Sequence, residues 1–89
     1  MTRHPTAPEV RLEFAKRLRW WRTARGFVRA RDFASVLDIK ENRYTRYERA
    51  EVEPKLTLIR RICETLRVSP NELLGYSHPT RNGAEFPDR

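Results

Sequence analysis

The sequence has 89 residues, of which 19 are Lys or Arg and 12 are Asp or Glu, giving a formal net charge of +7. This length predicts one domain with a modest core, and the basic excess favours an anionic partner, with nucleic acid the first candidate. The single cysteine excludes an intramolecular disulfide, and no segment is apolar enough for a signal peptide or membrane span, so we expect a cytoplasmic, nucleoid-associated protein.

The first predicted helix covers residues 9–25, between a polar and flexible arm (residues 1–8) and Gly26. Thr6 and Glu9 have the spacing of a capping box, which indicates the N-terminal end of this helix. Its apolar side chains recur at spacings of four and three, as on one buried helical face: Phe14, Leu18 and Trp21.

Three further helices are predicted at residues 30–37, 40–49 and 55–67. A tight turn at Asp38 and Ile39 joins the first two. The last of the three carries an apolar stripe that predicts its buried face: Leu56, Ile59, Ile62, Cys63 and Leu66.

A fifth, short helix is predicted after Ser69, because Ser69 and Glu72 form a capping box and Pro70 suits the first helical position. Gly75 ends this helix, and residues 76–89 have the composition of a flexible tail. The sequence therefore predicts an all-α fold with five helices and a single domain at residues 9–75.

Two short helices joined by a tight turn within a basic domain are typical of a helix-turn-helix unit. Ala34 is small where the second and third helices must approach closely. Asp38 lies where this turn needs a left-handed residue, and Asp tolerates that conformation better than most residues do. Tyr44 and Tyr47 are three residues apart and are expected to face the core.

The run from Phe14 to Leu74 resembles the Cro/repressor-type (XRE family) helix-turn-helix DNA-binding domain. The matching residues, in register, are Arg22, Gly26, Phe33, Ala34, Tyr47, Glu48, Arg49, Pro54, Leu56, Ile59, Ile62, Leu66, Val68, Leu73 and Leu74. The resemblance implies a compact lambda-repressor-like fold. It also implies a structural salt bridge between Arg22 and Glu48 across the first and third helices.

Four features depart from the family pattern. Asp38 replaces the usual turn glycine, and Ala50 replaces the glycine that follows the third helix. One extra residue lies between Gly26 and the second helix. Glu51 and Glu53 occupy a loop where the family often has basic or amide residues, which weakens the expected attraction to DNA on that side.

The resemblance implies that helix 40–49 enters the major groove of duplex DNA. The helical wheel places four side chains on its outer faces, where we expect them to read base edges: Glu41, Asn42, Thr45 and Arg46. Five cations are better placed for phosphates, which fix register without reading sequence: Arg29, Arg31, Lys40, Arg43 and Arg49.

The sequence thus predicts a sequence-specific, double-stranded-DNA-binding transcriptional regulator that acts as a homodimer on an inverted repeat. No enzyme activity, cofactor or metal site is expected, because His4 and His78 lie in the two termini and build no cluster. A protein-interaction module, or an antitoxin-like protein whose tail binds a partner, is an alternative that Glu51, Glu53 and an exposed Trp20 would favour. Nonspecific nucleoid packaging is another alternative, whereas a membrane surface would not require the compact core.

Overall fold

A computed structural model describes residues 4–76, and these residues contain helices and no strand. In chain order the helices are α1 (Ala7–Ala24), α2 (Ala30–Val36), α3 (Glu41–Glu48), α4 (Leu56–Leu66) and α5 (Pro70–Leu74). The prediction of an all-α fold with five helices is confirmed. The expectation of flexible ends falls largely on residues 1–3 and 77–89, which lie outside the described residues, and the division into arm, domain and tail stays a prediction.

Helix α1 begins at Ala7, two residues before its predicted start at residue 9. The predicted capping box is present, but its Glu9 is the third helical residue and not the first. Thr6 is the N-cap, so Ala7 is the first helical residue and Glu9 is the third. The Glu9 backbone N–H donates to Thr6 Oγ1 at 3.3 Å, and the Thr6 N–H donates to Glu9 Oε1 at 2.8 Å. Two N–H groups that the first turn leaves without helical partners are thereby satisfied.

Each of the five helices is followed by a residue in the left-handed conformation, with φ between 58° and 94°: Gly26, Asp38, Ala50, Arg67 and Gly75. Asp38 has φ 62°, as its place in the turn predicts. For residues other than glycine this conformation costs roughly 1–2 kcal/mol each, because Cβ crowds the following carbonyl oxygen. Three helix ends in this small domain therefore carry a local conformational cost that packing must offset.

All five helices contribute side chains to one core. Its buried side chains are Phe14, Leu18, Phe33, Ala34, Leu37, Tyr44, Tyr47, Leu58, Ile62, Cys63, Leu66, Val68 and Leu73. Phe33 of α2 links two neighbours, since its ring centroid lies 5.0 Å from that of Phe27 and 5.5 Å from that of Tyr44. The contact with Phe27 is tilted and the contact with Tyr44 is edge-on, and aromatic contacts of this kind add to the hydrophobic gain from burial.

Leu56 is an exception to the predicted apolar stripe of α4. Its side chain is 83% exposed, whereas Leu58, which the prediction omitted, is 6% exposed. The buried face is centred on Leu58, Ile62 and Leu66, and at 3.6 residues per turn Leu56 lies roughly 120° away from that centre. Leu56 is also the first residue of α4, so no preceding turn of the helix covers it.

Candidate nucleic-acid interface

A compact turn joins α2 to α3 and sets the angle between them. The Asp38 N–H donates to the Ser35 carbonyl at 3.0 Å, and the Ile39 N–H donates to the Ala34 carbonyl at 3.1 Å. These two bonds around a left-handed residue form a Schellman motif, which satisfies carbonyls at the end of α2. Lys40 then serves as the N-cap of α3. The turn therefore presents the first residues of α3 at the surface.

Arg22 connects α1 to α3 through an ion pair with Glu48. Arg22 Nε lies 2.6 Å from Glu48 Oε2, and the two side chains are 7% and 10% exposed. Arg22 Nη1 also donates to the carbonyls of Phe27 and Val28 at 2.7 and 2.9 Å. A buried charge is tolerated only when it is paired and hydrogen-bonded, and Arg22 satisfies both conditions.

Tyr44 extends this network from inside α3. Its side chain is fully buried, and its hydroxyl donates to Glu48 Oε2. Burial raises the pKa of the Tyr44 phenol far above its ordinary value, and the hydrogen bond to the Glu48 carboxylate raises it further. The phenol therefore stays protonated and acts as a fixed donor that helps to hold Glu48 in place.

The outward face of α3 carries the four residues predicted to read bases. Glu41, Asn42 and Arg46 are exposed, and Thr45 is partly buried. The Thr45 hydroxyl donates to the Asn42 carbonyl at 3.0 Å, which is an ordinary helical contact and leaves the Asn42 amide group outward. Arg46 Nε lies 3.4 Å from Glu51 Oε1, so one of the four already has an acidic neighbour.

The five cations predicted to contact phosphate lie on α2, on α3 or at the ends of these helices, and none of them forms an ion pair with any residue in the range 4–76: Arg29, Arg31, Lys40, Arg43 and Arg49. Arg43 donates from Nε to the Tyr47 hydroxyl at 3.2 Å. An open depression at the turn brings two of the five together, and its lining residues are Arg31, Ser35, Asp38, Ile39, Lys40 and Glu41. Their positive charges are therefore available to an anion.

Many of the other arginines serve the fold itself, which composition alone did not indicate. Five of them donate to a carbonyl oxygen at or beside the C-terminal end of another helix: Arg11 to Ala50, Arg17 to Glu72, Arg19 to Glu48, Arg25 to Leu66, and Arg61 to Leu37. These carbonyls lack helical partners and carry the negative end of the helix dipole. Since each donor is distant in sequence from its acceptor, no local pattern could have revealed these bonds.

Trp20 is 62% exposed, and its ring meets Trp21 edge-on at a centroid distance of 4.9 Å. Cys63 is a buried core residue, as expected from its place on the apolar stripe.

Within residues 4–76, no group of three or more acidic, His or Cys side chains is arranged to hold a metal ion. No described helix has the length and apolar character needed to cross a bilayer.

Two packed helices, a tight turn and an exposed polar face on the second helix define the class of helix-turn-helix DNA-binding domains. The sequence profile of the family described as "Helix-turn-helix domain" matches residues 13–75, and the chain belongs to this family. The resemblance found in the sequence is thus confirmed as that of a helix-turn-helix domain.

One solved structure is similar to this chain: the crystal structure of a hypothetical transcription factor, NHTF, from Neisseria. The two chains superpose with a TM-score of 0.68 at 20% sequence identity, over 83% of this chain and 84% of the other. At this identity the match shows a shared fold alone. No curated protein matches the sequence.

Proposed function

We propose that the protein is a sequence-specific, double-stranded-DNA-binding transcriptional regulator that places the first half of α3 in the major groove. One observation carries this proposal: α3 has an exposed polar face and the cations at the turn and on the ends of α2 and α3 form no ion pair within residues 4–76, while other arginines are engaged in the fold. Such a surface attracts a polyanion and also presents hydrogen-bonding groups to it.

The four outward residues of α3 have the chemistry to distinguish base pairs. Asn42 suits a bidentate contact with adenine, and Arg46 suits one with guanine. Glu41 accepts a hydrogen bond from the cytosine amino group, and the Thr45 methyl group packs against that of thymine. A good bidentate contact discriminates against the wrong base by about 1–3 kcal/mol.

Arg29, Arg31, Lys40, Arg43 and Arg49 supply the contacts to phosphate. Arg29 and Lys40 are the N-caps of α2 and α3, so their charges add to the positive ends of two helix dipoles. Binding is therefore salt-sensitive, with a log–log slope of about −0.9 for each neutralised phosphate.

The proposed binding unit is a homodimer on an inverted repeat. One domain of this size covers a single half-site, and two-fold related domains read two half-sites about one helical turn apart. A duplex DNA partner would place the protein in the cytoplasm, at the nucleoid.

The proposal is tested by selecting binding sites from a random duplex pool at near-physiological salt. We expect an enriched inverted repeat. Footprinting of two variants on strongly and weakly bound sites then distinguishes base-reading residues from phosphate-contacting residues. Arg46→Ala should change the preferred sequence, whereas Arg29→Ala should weaken binding to all duplexes alike. Equal losses on every sequence for both variants would contradict the assignment of Arg46 to base reading.

A second candidate function is binding of a protein partner, and the exposure of Trp20 favours it. Large aromatic side chains are enriched at protein interfaces. A partner that contacts residues 76–89, as in an antitoxin, belongs to the same alternative. Failure to bind any duplex in the selection would favour this candidate, and binding without sequence enrichment would indicate nucleoid packaging.

A further inference from the structure

The C-terminal end of α3 places an acidic side chain beside a residue proposed to read DNA. Ala50 is left-handed, with φ 61°. The Ala50 N–H donates to the Tyr47 carbonyl at 3.1 Å, and the Glu51 N–H donates to the Arg46 carbonyl at 3.0 Å. This is the pair of bonds that defines a Schellman motif, in which the second residue after the cap folds back against the last turn of the helix.

In a Schellman motif the two side chains brought together are commonly apolar, but here they are Glu51 and Arg46. Arg46 Nε lies 3.4 Å from Glu51 Oε1, and the side chains are 57% and 46% exposed. The backbone hydrogen bond between the same two residues fixes their backbones next to each other, so the two side chains start from neighbouring positions. The end of the helix therefore places the carboxylate within reach of Arg46.

The geometry of the pair leaves Arg46 able to contact a base. A guanidinium group has five N–H donors in a planar fork, and Glu51 approaches it from the Nε side. The terminal nitrogens remain free for a bidentate contact with guanine O6 and N7. A carboxylate at Nε would reduce the number of orientations that the free arginine samples, so less conformational entropy is lost on binding.

We propose that Glu51 is a positioning residue, which holds Arg46 in the orientation that contacts guanine and so sharpens sequence discrimination. The inference rests on the proposed function, because it requires Arg46 to read a base. It also gives the acidic loop after α3 a role in specificity, although its charge opposes attraction to phosphate.

The test must separate positioning from simple charge, and the same loop provides a matched control. Glu53 lies two residues further on, and its carboxylate is 3.9 Å from Arg11 Nη1, on α1. Glu51→Gln and Glu53→Gln remove the same charge from the same loop, but only the first removes the partner of Arg46. Both changes should raise affinity for nonspecific duplex to a similar extent, because each removes one charge that repels phosphate.

The measurement is the ratio of affinities for two duplexes, the selected site and the same site with the guanine opposite Arg46 replaced. Exposed ion pairs contribute up to about 1 kcal/mol, so we expect Glu51→Gln to lower this ratio about two- to fivefold. Glu53→Gln should leave the ratio unchanged. In an Arg46→Ala background, Glu51→Gln should have no further effect on the ratio.

Three outcomes would overturn the inference: an unchanged ratio in Glu51→Gln, a higher ratio, or an equal fall in both glutamine variants. These outcomes are distinguishable from failure of the proposed function. If Arg46→Ala itself leaves base preference unchanged, the assignment of Arg46 is wrong and the inference fails with it. Melting curves followed by circular dichroism establish that each variant is folded at the temperature of the binding assay.

Discussion

Arg22 on α1 and Glu48 on α3 form the only ion pair within residues 4–76 in which both partners are nearly buried. Every nitrogen of the Arg22 guanidinium donates a hydrogen bond, either to Glu48 or to the carbonyls of Phe27 and Val28. One side chain therefore fixes α3 and the loop between α1 and α2 relative to the end of α1.

Glu48→Ala should lower the free energy of unfolding by about 3–5 kcal/mol, because it leaves the buried Arg22 charge without its partner. Glu64→Ala is the control, since the ion pair of Glu64 with Arg60 is exposed on both sides and should contribute about 0–1 kcal/mol. Urea denaturation followed by circular dichroism measures both. Similar small losses in the two variants would show that the Arg22–Glu48 pair does not organise the fold.

Tyr44→Phe should change the dependence of stability on pH. At neutral pH the variant loses the hydrogen bond to Glu48, at a cost of about 1.5–3 kcal/mol. Because the folded-state pKa of Tyr44 is raised, its contribution is fully present below the unfolded-state pKa of about 10 and declines above it, by about 1.4 kcal/mol per pH unit. The difference in unfolding free energy between the native protein and the variant should therefore narrow above about pH 10. A difference that stays constant to pH 11 would argue against the buried, protonated phenol.

Ala50→Gly should stabilise the protein. Ala50 has φ 61°, and glycine adopts this conformation without steric cost, so a gain of up to about 1 kcal/mol is expected after the entropy of the unfolded chain is counted. Ala24→Gly is the control, since Ala24 is the exposed last residue of α1 and does not have a positive φ, so the same change there relieves no strain and should not stabilise the protein. Thermal unfolding compares the two. A lower melting temperature for Ala50→Gly would show that its Cβ makes a packing contact worth more than the relieved strain.

Arg25 represents the arginines that bind carbonyls within the fold, and Arg31 represents those proposed to contact DNA phosphates. Arg25→Met removes the hydrogen bond to the Leu66 carbonyl, which is 2.7 Å long, and should cost about 1 kcal/mol of stability while leaving the salt dependence of DNA binding unchanged. Arg31→Met should leave stability unchanged and reduce the magnitude of the log–log salt slope by about 0.9. Binding titrations at several salt concentrations, with thermal unfolding alongside, give both quantities. An equal change of slope in the two variants would contradict the division into structural and DNA-facing arginines.

The outward face of α3 could be predicted from the sequence because helical periodicity decides which side chains lie opposite Tyr44 and Tyr47. The neighbours of those side chains could not be predicted in the same way. Glu51 was identified only as a departure from a family pattern, although its five-residue spacing from Arg46 across Ala50 is the local signal of a Schellman motif. The base that each outward residue contacts is decided by the proposed complex with DNA and not by the fold of the protein.

The sequence alone determined where the helices start and stop to within two residues. The capping boxes at Thr6 and Ser69 and the left-handed turn at Asp38 depend on hydrogen bonds between residues a few positions apart, so their geometry follows from local residue types. Only the tertiary structure decided that Leu56 is exposed, and that five of the described arginines bind carbonyls at the ends of other helices. These outcomes depend on how whole helices pack, and a contact between residues 24–55 positions apart has no signature in the local sequence.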